Sequence, residues 1–326
     1  MTTDWTWHGG ALAAAQQRFG GGDAPWIDLS TGINPHPWPG AETIAIDWRR
    51  LPEREAIAAL EASAAAAFGL DARHVCAVPG SEIGLRLIGR LIGGRACHVA
   101  PGYRTHGAMI AGSVAADWPA IRKQAGTLIL ANPGNPDGRI VESATIGALL
   151  DRRAPADWLV IDEAYADCDP AISAAPRIRD DARLIVFRSF GKFFGLAGVR
   201  LGFVLGPQAL LAELRALVGA WPVSAAAVAI GTTAYRDADW IARTRIRLAK
   251  KAAALDTLLI EAGFQPRGDC PLFRLVETRD AAALFERLAR AAILTRPFDS
   301  RPDWLRIGLP RDAAARARLA AALADG

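Results

Sequence analysis

The stretch Arg183–Leu205, RLIVFRSFGKFFGLAGVRLGFVL, decides how the rest of the chain is read. Its ends, Arg183-Leu-Ile-Val-Phe187 and Leu201-Gly-Phe-Val-Leu205, are apolar runs with the length and branching of buried strands. Between them, glycines at 191, 195 and 198 alternate with phenylalanines around a single lysine, Lys192. Working back toward the N-terminus, Trp158-Leu-Val-Ile-Asp162, Thr127-Leu-Ile-Leu-Ala131, Cys97-His-Val-Ala100 and His74-Val-Cys-Ala-Val78 have the same character. Helix-length segments separate them, among them Ser81–Ile92 with apolar residues three and four apart. Continuous apolar strands alternating with helices predict an α/β fold whose mostly parallel sheet is covered on both faces.

Toward the C-terminus the pattern changes. An arginine-rich helical segment runs from Asp239 to Ala262, followed by Leu272-Phe-Arg-Leu-Val276, a helix over Asp280–Ala292, Ile293-Leu-Thr295, Trp304-Leu-Arg-Ile307 and an alanine-rich terminal helix. That order predicts a smaller α+β domain. The first forty residues, rich in glycine and proline, show no periodicity and read as an arm wrapped onto one domain. The expected division is a large domain over 41–215 and a small domain from 1–40 and 216–326.

Composition narrows the function classes. With 51% hydrophobic and 22% charged residues and a net charge of +4, the 326-residue chain is a folded globular protein. The near balance of 38 basic and 34 acidic residues gives no reason to expect a nucleic-acid partner. Ala216–Tyr235 carries no charge, but Gly219, Pro222, Ser224 and Gly231 make it too weakly apolar for a membrane span, so it reads as a buried helical segment. Cys76, Cys97, Cys168 and Cys270 lie far apart without paired histidines, which predicts no metal site and suits a reducing compartment. The opening residues, Met1 to His8, lack the basic-then-apolar pattern of a secretory leader, so a cytoplasmic location is expected.

Polar residues cluster just past the carboxyl ends of the predicted strands, where α/β sheets place ligands. Pro79-Gly80-Ser81-Glu82 opens a helix, whose free N–H groups favour a phosphate; alone, Gly-Ser there is also an ordinary cap. Asp162 ends an apolar strand, where a carboxylate needs a cationic or hydrogen-bonding partner. The chain has four lysines, and three read as solvated: Lys123 in a polar turn, Lys250 and Lys251 mid-helix beside Arg247. Lys192 alone follows a buried strand among aromatics, where desolvation makes a neutral amine available for imine chemistry. Ser189 and Arg200 flank it, residue types that bind a phosphate ester.

In order along the chain, Gly80-Ser81-Glu82, Tyr103, Asn132-Pro-Gly-Asn135-Pro-Asp-Gly138, Asp162-Glu-Ala-Tyr165, Ser189-Phe-Gly-Lys192 and Arg200 resemble the fold-type I pyridoxal-phosphate enzymes, in the branch of the histidinol-phosphate aminotransferases. The resemblance implies that Lys192 carries the aldehyde of pyridoxal 5'-phosphate and that Asp162 pairs with its ring nitrogen. It further implies that Tyr165 and Asn135 meet the ring hydroxyl, and that Tyr103 stacks on the ring. Gly80, Ser81, Glu82, Ser189 and Arg200 then form the rest of the cofactor site, and Arg306 in Trp-Leu-Arg-Ile-Gly clamps the substrate carboxylate. Taken alone, Arg306 would also suit an edge strand in solvent.

The N-terminal segments Trp7-His8-Gly9-Gly10-Ala11 and Ile27-Asp28-Leu29-Ser30-Thr31-Gly32-Ile33-Asn34-Pro35 are similar to the threonine-phosphate decarboxylases of cobalamin biosynthesis. That resemblance implies a small phosphorylated amino acid as substrate, with His8, Gly9, Gly32, Asn34, Asn135, Arg296 and Arg306 around it and a homodimeric assembly. One departure stands out. The branch commonly has Tyr-Pro-Asp early in the large domain, its tyrosine reaching the partner's cofactor phosphate; Leu51-Pro52-Glu53 stands here without the hydroxyl. An aminotransferase acting on a phosphorylated substrate is the competing expectation, and a non-catalytic cofactor-binding protein a third.

Overall fold

The expected α/β sheet is present in the computed structural model, which describes residues 4–20 and 24–324. Met1–Thr3, part of the stretch read for a leader, lie outside the described residues. The chain begins with α1 (Asp4–Trp7), α2 (Leu12–Phe19) and β1 (Ile27–Asp28), where no periodicity pointed to regular structure. The physical reason is length and distance. α1 is one turn, and β1 is two residues whose parallel partner lies at Ile293–Leu294.

There follow α3 (Arg54–Phe68), β2 (Val75–Val78), α4 (Ser81–Ile92), β3 (Ala96–Val99), α5 (Arg104–Ala108), β4 (Val114–Ala116), α6 (Trp118–Ile121), β5 (Thr127–Ala131), α7 (Ser143–Asp151) and β6 (Leu159–Asp162). Next come β7 (Leu184–Ser189), α8 (Phe190–Phe193), β8 (Gly202–Leu205), α9 (Gln208–Val218), α10 (Ala225–Arg236) and α11 (Ala238–Glu261). The chain closes with β9 (Pro266–Arg267), β10 (Phe273–Glu277), α12 (Ala281–Arg290), β11 (Ile293–Leu294), β12 (Arg296–Phe298), β13 (Arg301–Gly308) and α13 (Ala313–Ala324).

Each predicted strand of the large sheet appears within two residues of its expected bounds; β4, a three-residue edge strand, was not legible. The segment read as one buried helix is two. α9 ends before Gly219, and α10 begins after Ser224, whose hydroxyl caps it by accepting from Ala227 N–H. Trp221, in the break, is exposed rather than buried.

Two compact units divide the chain: the larger is Pro37–Asn135 with Ile140–Thr244, the smaller Met1–His36, Pro136–Arg139 and Arg245–Gly326. The boundaries fall at 36/37 and 244/245 where 40/41 and 215/216 were expected, because α10 and the first turns of α11 go with the larger unit. In that unit the sheet order is β2-β8-β7-β6-β5-β3-β4. Pairs β7-β6, β6-β5, β5-β3 and β3-β4 are parallel, and β8 is antiparallel to both neighbours. Two reversals about β8 leave β2 parallel to β7. Six strands therefore end at the same edge, and β8 starts there, with Gly202 opposite both Val78 and Ser189. A core including Val78, Leu85, Ile88, Ile129, Val160, Phe187, Val204 and Leu211 fixes this edge against α4 and α9.

The smaller unit holds the antiparallel sheet β12-β13-β10-β9 and the β1-β11 pair. α12 is a strongly amphipathic helix, capped by Asp280 accepting from Ala283 N–H and burying Leu284, Phe285 and Leu288.

Candidate active site

β2, β3, β5, β6 and β7 each lead into residues that line a common cavity at that edge. β2 runs through Pro79-Gly80 into α4, whose first N–H groups have no side-chain cap. Gly80 must be glycine: its φ is +89°, and a Cβ would sit 2.8 Å from the Arg200 guanidinium. Arg200 itself adopts a left-handed backbone, φ +56°, unusual for a branched-free long side chain and a form of strain that clusters at functional sites. Helix start, Ser81 and guanidinium thus converge on one corner.

β6 delivers Asp162 and β7 delivers Ser189, with Lys192 one turn later on α8. Asp162 is buried and doubly held: one carboxylate oxygen accepts from Ala164 N–H at 3.1 Å, the other lies 2.9 Å from His106 Nε2. Tyr165 is buried, and the Lys192 ammonium lies 5.7 Å from its ring centre. After β3, Tyr103 and Thr105 both donate to the same Glu82 carboxylate oxygen at 2.8 Å, while Arg86 binds the other at 2.6 Å. Burial raises the Glu82 pKa, but these donors outweigh it and hold the carboxyl below its ordinary value. The Tyr103 phenol is shifted upward by burial and by the hydrogen bond to Glu82.

Gly80, Ser81, Glu82, Tyr103, Asn135, Asp162, Tyr165, Ser189, Lys192 and Arg200 all line one open cavity, together with Ala131, Ala164, Gly191, Ala197 and Leu201. It encloses about 760 Å³ including the part open to solvent, the size of a small-molecule site. An amine, a buried carboxylate, an aromatic wall and an anion corner are the parts that pyridoxal 5'-phosphate requires. The Gly80 corner, which a side chain on that residue would fill, has the room and the donors that a phosphate would need. The residues fit the cofactor.

His106 was missed by sequence reasoning: it lies on α5 just past the Tyr103 N-cap, the two rings 5.7 Å apart, but its partner Asp162 is 56 residues away and nothing local marks the pairing. Lysine elimination needs one correction. Lys251 is not on a solvated face; it donates to the carbonyls of Pro310 and Arg311 at 3.3 and 2.7 Å.

The remaining expected residues lie in the smaller unit. There the two N-terminal motifs grip each other. Asp28 Oδ1 accepts from the Ser30 hydroxyl at 2.6 Å and from its N–H at 2.8 Å, and Ser30 Oγ accepts from Gly10 N–H at 2.8 Å. A Cβ on Gly9 would come within 2.5 Å of Ser30 O. His8 is exposed, Gly32 takes φ +61°, and buried Asn34 accepts from His36 N–H at 3.0 Å.

Arg296 and Arg306 face each other across the β12–β13 pair, both buried. Arg306 is not an edge-strand arginine, because β13 lies between β12 and β10. It donates to Ser30 O at 2.6 Å and lies 4.8 Å above the Phe273 ring. Arg296, expected around the substrate, donates to Trp5 O at 2.6 Å and Trp7 O at 3.0 Å, so it fastens the segment that leads into His8.

Residues 115–323 match the aminotransferase class I and II family. Among curated proteins, a threonine-phosphate decarboxylase from Sinorhizobium is 40% identical over 97% of this chain and 97% of its own length. A threonine-phosphate decarboxylase from Pseudomonas aeruginosa is also 40% identical, over 97% of this chain and 96% of its own. Among solved structures, histidinol-phosphate aminotransferase from Sinorhizobium meliloti in complex with pyridoxal-5'-phosphate superposes with a TM-score of 0.85, covering 96% of this chain and 93% of that one. At 22% identity, that likeness is one of fold.

Proposed function

The chain belongs to the aminotransferase class I and II family, and on that premise we propose that it is a pyridoxal-phosphate-dependent threonine-phosphate decarboxylase. It releases carbon dioxide from L-threonine O-3-phosphate and leaves (R)-1-aminopropan-2-yl phosphate, the aminopropanol unit of cobalamin. The observation that carries this reading is end-to-end identity: 40% with two relatives of that name over 97% of the chain.

When bound, the cofactor supplies an electron sink for the pair freed as a bond at the substrate's α carbon breaks. Lys192 would hold its aldehyde carbon, Asp162 its ring nitrogen, Asn135 and Tyr165 its ring hydroxyl, and Tyr103 one face of the ring. Ser81, Ser189, Arg200 and the opening N–H groups of α4 would hold its phosphate. His106 orients Asp162 through the 2.9 Å contact. Arg306, anchored on Ser30 O, would bind the substrate carboxylate. His8, with Arg296 near it in the same unit, takes the substrate's phosphate, and Gly9, Gly32 and Asn34 shape the surrounding backbone. After carbon dioxide leaves, Lys192 Nζ or Tyr165 Oη returns a proton to Cα.

A homodimer is part of the same reading. In the larger unit Trp48 and Leu51, three residues apart, are 76% and 62% exposed, apolar side chains that a second copy would cover. The location is read as cytoplasmic: the four cysteines are free and buried, and no helix among the described residues is long and apolar enough to cross a membrane.

The test is to incubate the holoenzyme with threonine phosphate, with and without 2-oxoglutarate. Carbon dioxide and aminopropanol phosphate are expected in equal amounts without any 2-oxo acid acceptor. Consumption of 2-oxoglutarate without carbon dioxide would make the protein an aminotransferase.

A further inference from the structure

The most deeply buried charges of the larger unit lie behind the cavity wall. Successive residues of a strand face opposite sides. Asp162 and Ser189 line the cavity, and their neighbours Glu163 and Arg188 turn the other way into closed interior. Arg188 is 1% exposed, Glu163 0% and Asp167 5%. Arg188 donates from one terminal nitrogen to Glu163 at 2.9 Å and to Ser173 Oγ at 3.2 Å, and from the other to Asp167. Its guanidinium lies 4.4 Å from the Phe68 ring centre. Glu163 also accepts from Ser173 Oγ at 2.6 Å and Ala174 N–H at 2.5 Å.

We propose that Glu163, Arg188 and Asp167 form a positioning cluster that sets the direction of Asp162 and Tyr165 in the cavity. Glu163 follows Asp162 directly, and Glu163 and Asp167 stand two residues either side of Tyr165, so one rigid guanidinium fork grips both flanks of the turn that carries the two cavity groups.

Stability alone does not account for charges here. A buried ion cluster costs desolvation that a well-packed apolar plug would avoid. Arg188 Nε has no hydrogen-bond partner among the described residues, which adds to that cost. What charged hydrogen bonds supply and apolar contacts do not is direction, and groups acting on a bound ring need to be held within about 0.5 Å. Burial opposes the Arg188 cation, yet the carboxylates of Asp167 and Glu163 raise its pKa, so the fork stays charged.

This inference rests on the cavity holding pyridoxal phosphate and is independent of the substrate's identity. The test compares wild-type holoprotein with E163Q and D167N by titrating the visible absorbance of the bound cofactor against pH, with melting temperature and steady-state kinetics alongside. E163Q is expected to bind the cofactor but to move the titration midpoint by about half a pH unit or more, roughly a threefold change in proton affinity. Its kcat should fall about tenfold while KM stays within about twofold.

D167N leaves the Arg188–Glu163 pair in place and should move the midpoint in the same direction by less. If both variants melt lower yet titrate and turn over like wild type, the cluster merely supports the fold and the proposal is overturned. Should E163Q not fold, an unmoved midpoint in D167N overturns it equally. A wild-type protein that takes up no visible band fails at the cofactor step instead, and removes the proposal with it.

Discussion

In the larger unit, the cavity residues arrive separately, each on its own strand end or helix start, and the sheet register alone brings Gly80, Asp162, Ser189 and Lys192 to one edge. In the smaller unit, motif residues spend their hydrogen bonds on one another: Asp28 on Ser30, Ser30 on Gly10, Arg296 on the carbonyls of Trp5 and Trp7, Arg306 on Ser30. The first region is a scaffold presenting groups outward. The second is a closed strap, in which most motif residues position a few others. Substitutions should separate the two, with chemistry lost in the first and substrate capture or arm stability affected in the second.

The largest expected effect is in the cavity. Lys192→Ala should lower turnover by about a thousandfold or more, since it removes both the amine that holds the cofactor and a proton donor. Borohydride should then fix no cofactor on the chain, as read by mass spectrometry. A variant that still carries a covalently trapped cofactor and works at the normal rate breaks the comparison at its root.

The next effect belongs to the strap. Arg306→Met removes charged hydrogen bonds worth about 1.5–3 kcal/mol, so KM for threonine phosphate should rise roughly ten- to a hundredfold. The cofactor absorbance should not change. If kcat collapses and KM stays fixed, Arg306 is acting on the fold or on the chemistry, and not on substrate capture.

The legibility of the two regions differed for a physical reason. Strand runs such as Leu159–Asp162 and Leu184–Ser189 are buried on both faces, so their apolar character is continuous and readable, and whatever polar residue ends such a run must be there for a partner. Hence Asp162, Ser189 and Lys192 could be picked out. His106 could not be assigned, because its partner is 56 residues away and meets it only through the β3–β5–β6 register. Glu163 read as part of a motif and Arg188 fell between a strand and a motif, and nothing local said that they face away from the cavity. In the strap, β1 exists only because it pairs with β11, and Arg296 gave no sign that its partners would be backbone carbonyls near the N-terminus.

Ser30→Ala tests the strap more gently. It deletes the hydroxyl that links Asp28 to Gly10, a net loss of about 1 kcal/mol. The melting temperature should drop by a few degrees, about what that energy gives in a chain of this size. If His8 meets the substrate phosphate, KM should also rise about fivefold while kcat holds, because the loosened arm is paired with the substrate less of the time. A lowered melting temperature with unchanged KM would confine the strap to folding and take His8 out of the site.

The smallest effect concerns Glu82, where the cavity has a closed hydrogen-bond set of its own. Its folded pKa lies below the ordinary 4.5, held there against burial by Thr105, Tyr103 and Arg86. The sign follows from linkage: the carboxylate is favoured by folding, so its stabilisation is fully present above about pH 4.5 and drains away as pH falls through the lowered value. Glu82→Gln should therefore melt below wild type at neutral pH, and the gap should narrow as the pH is taken down from 4.5. Because Glu82 is the shared acceptor for Tyr103 and Thr105, the variant should also blunt the visible circular dichroism of the bound cofactor at neutral pH, as the tyrosine ring loses its fixed angle. A gap that widens with acid would mean that Glu82 is protonated in the folded state, and that the cavity, like the strap, owes its shape to contacts other than those drawn here.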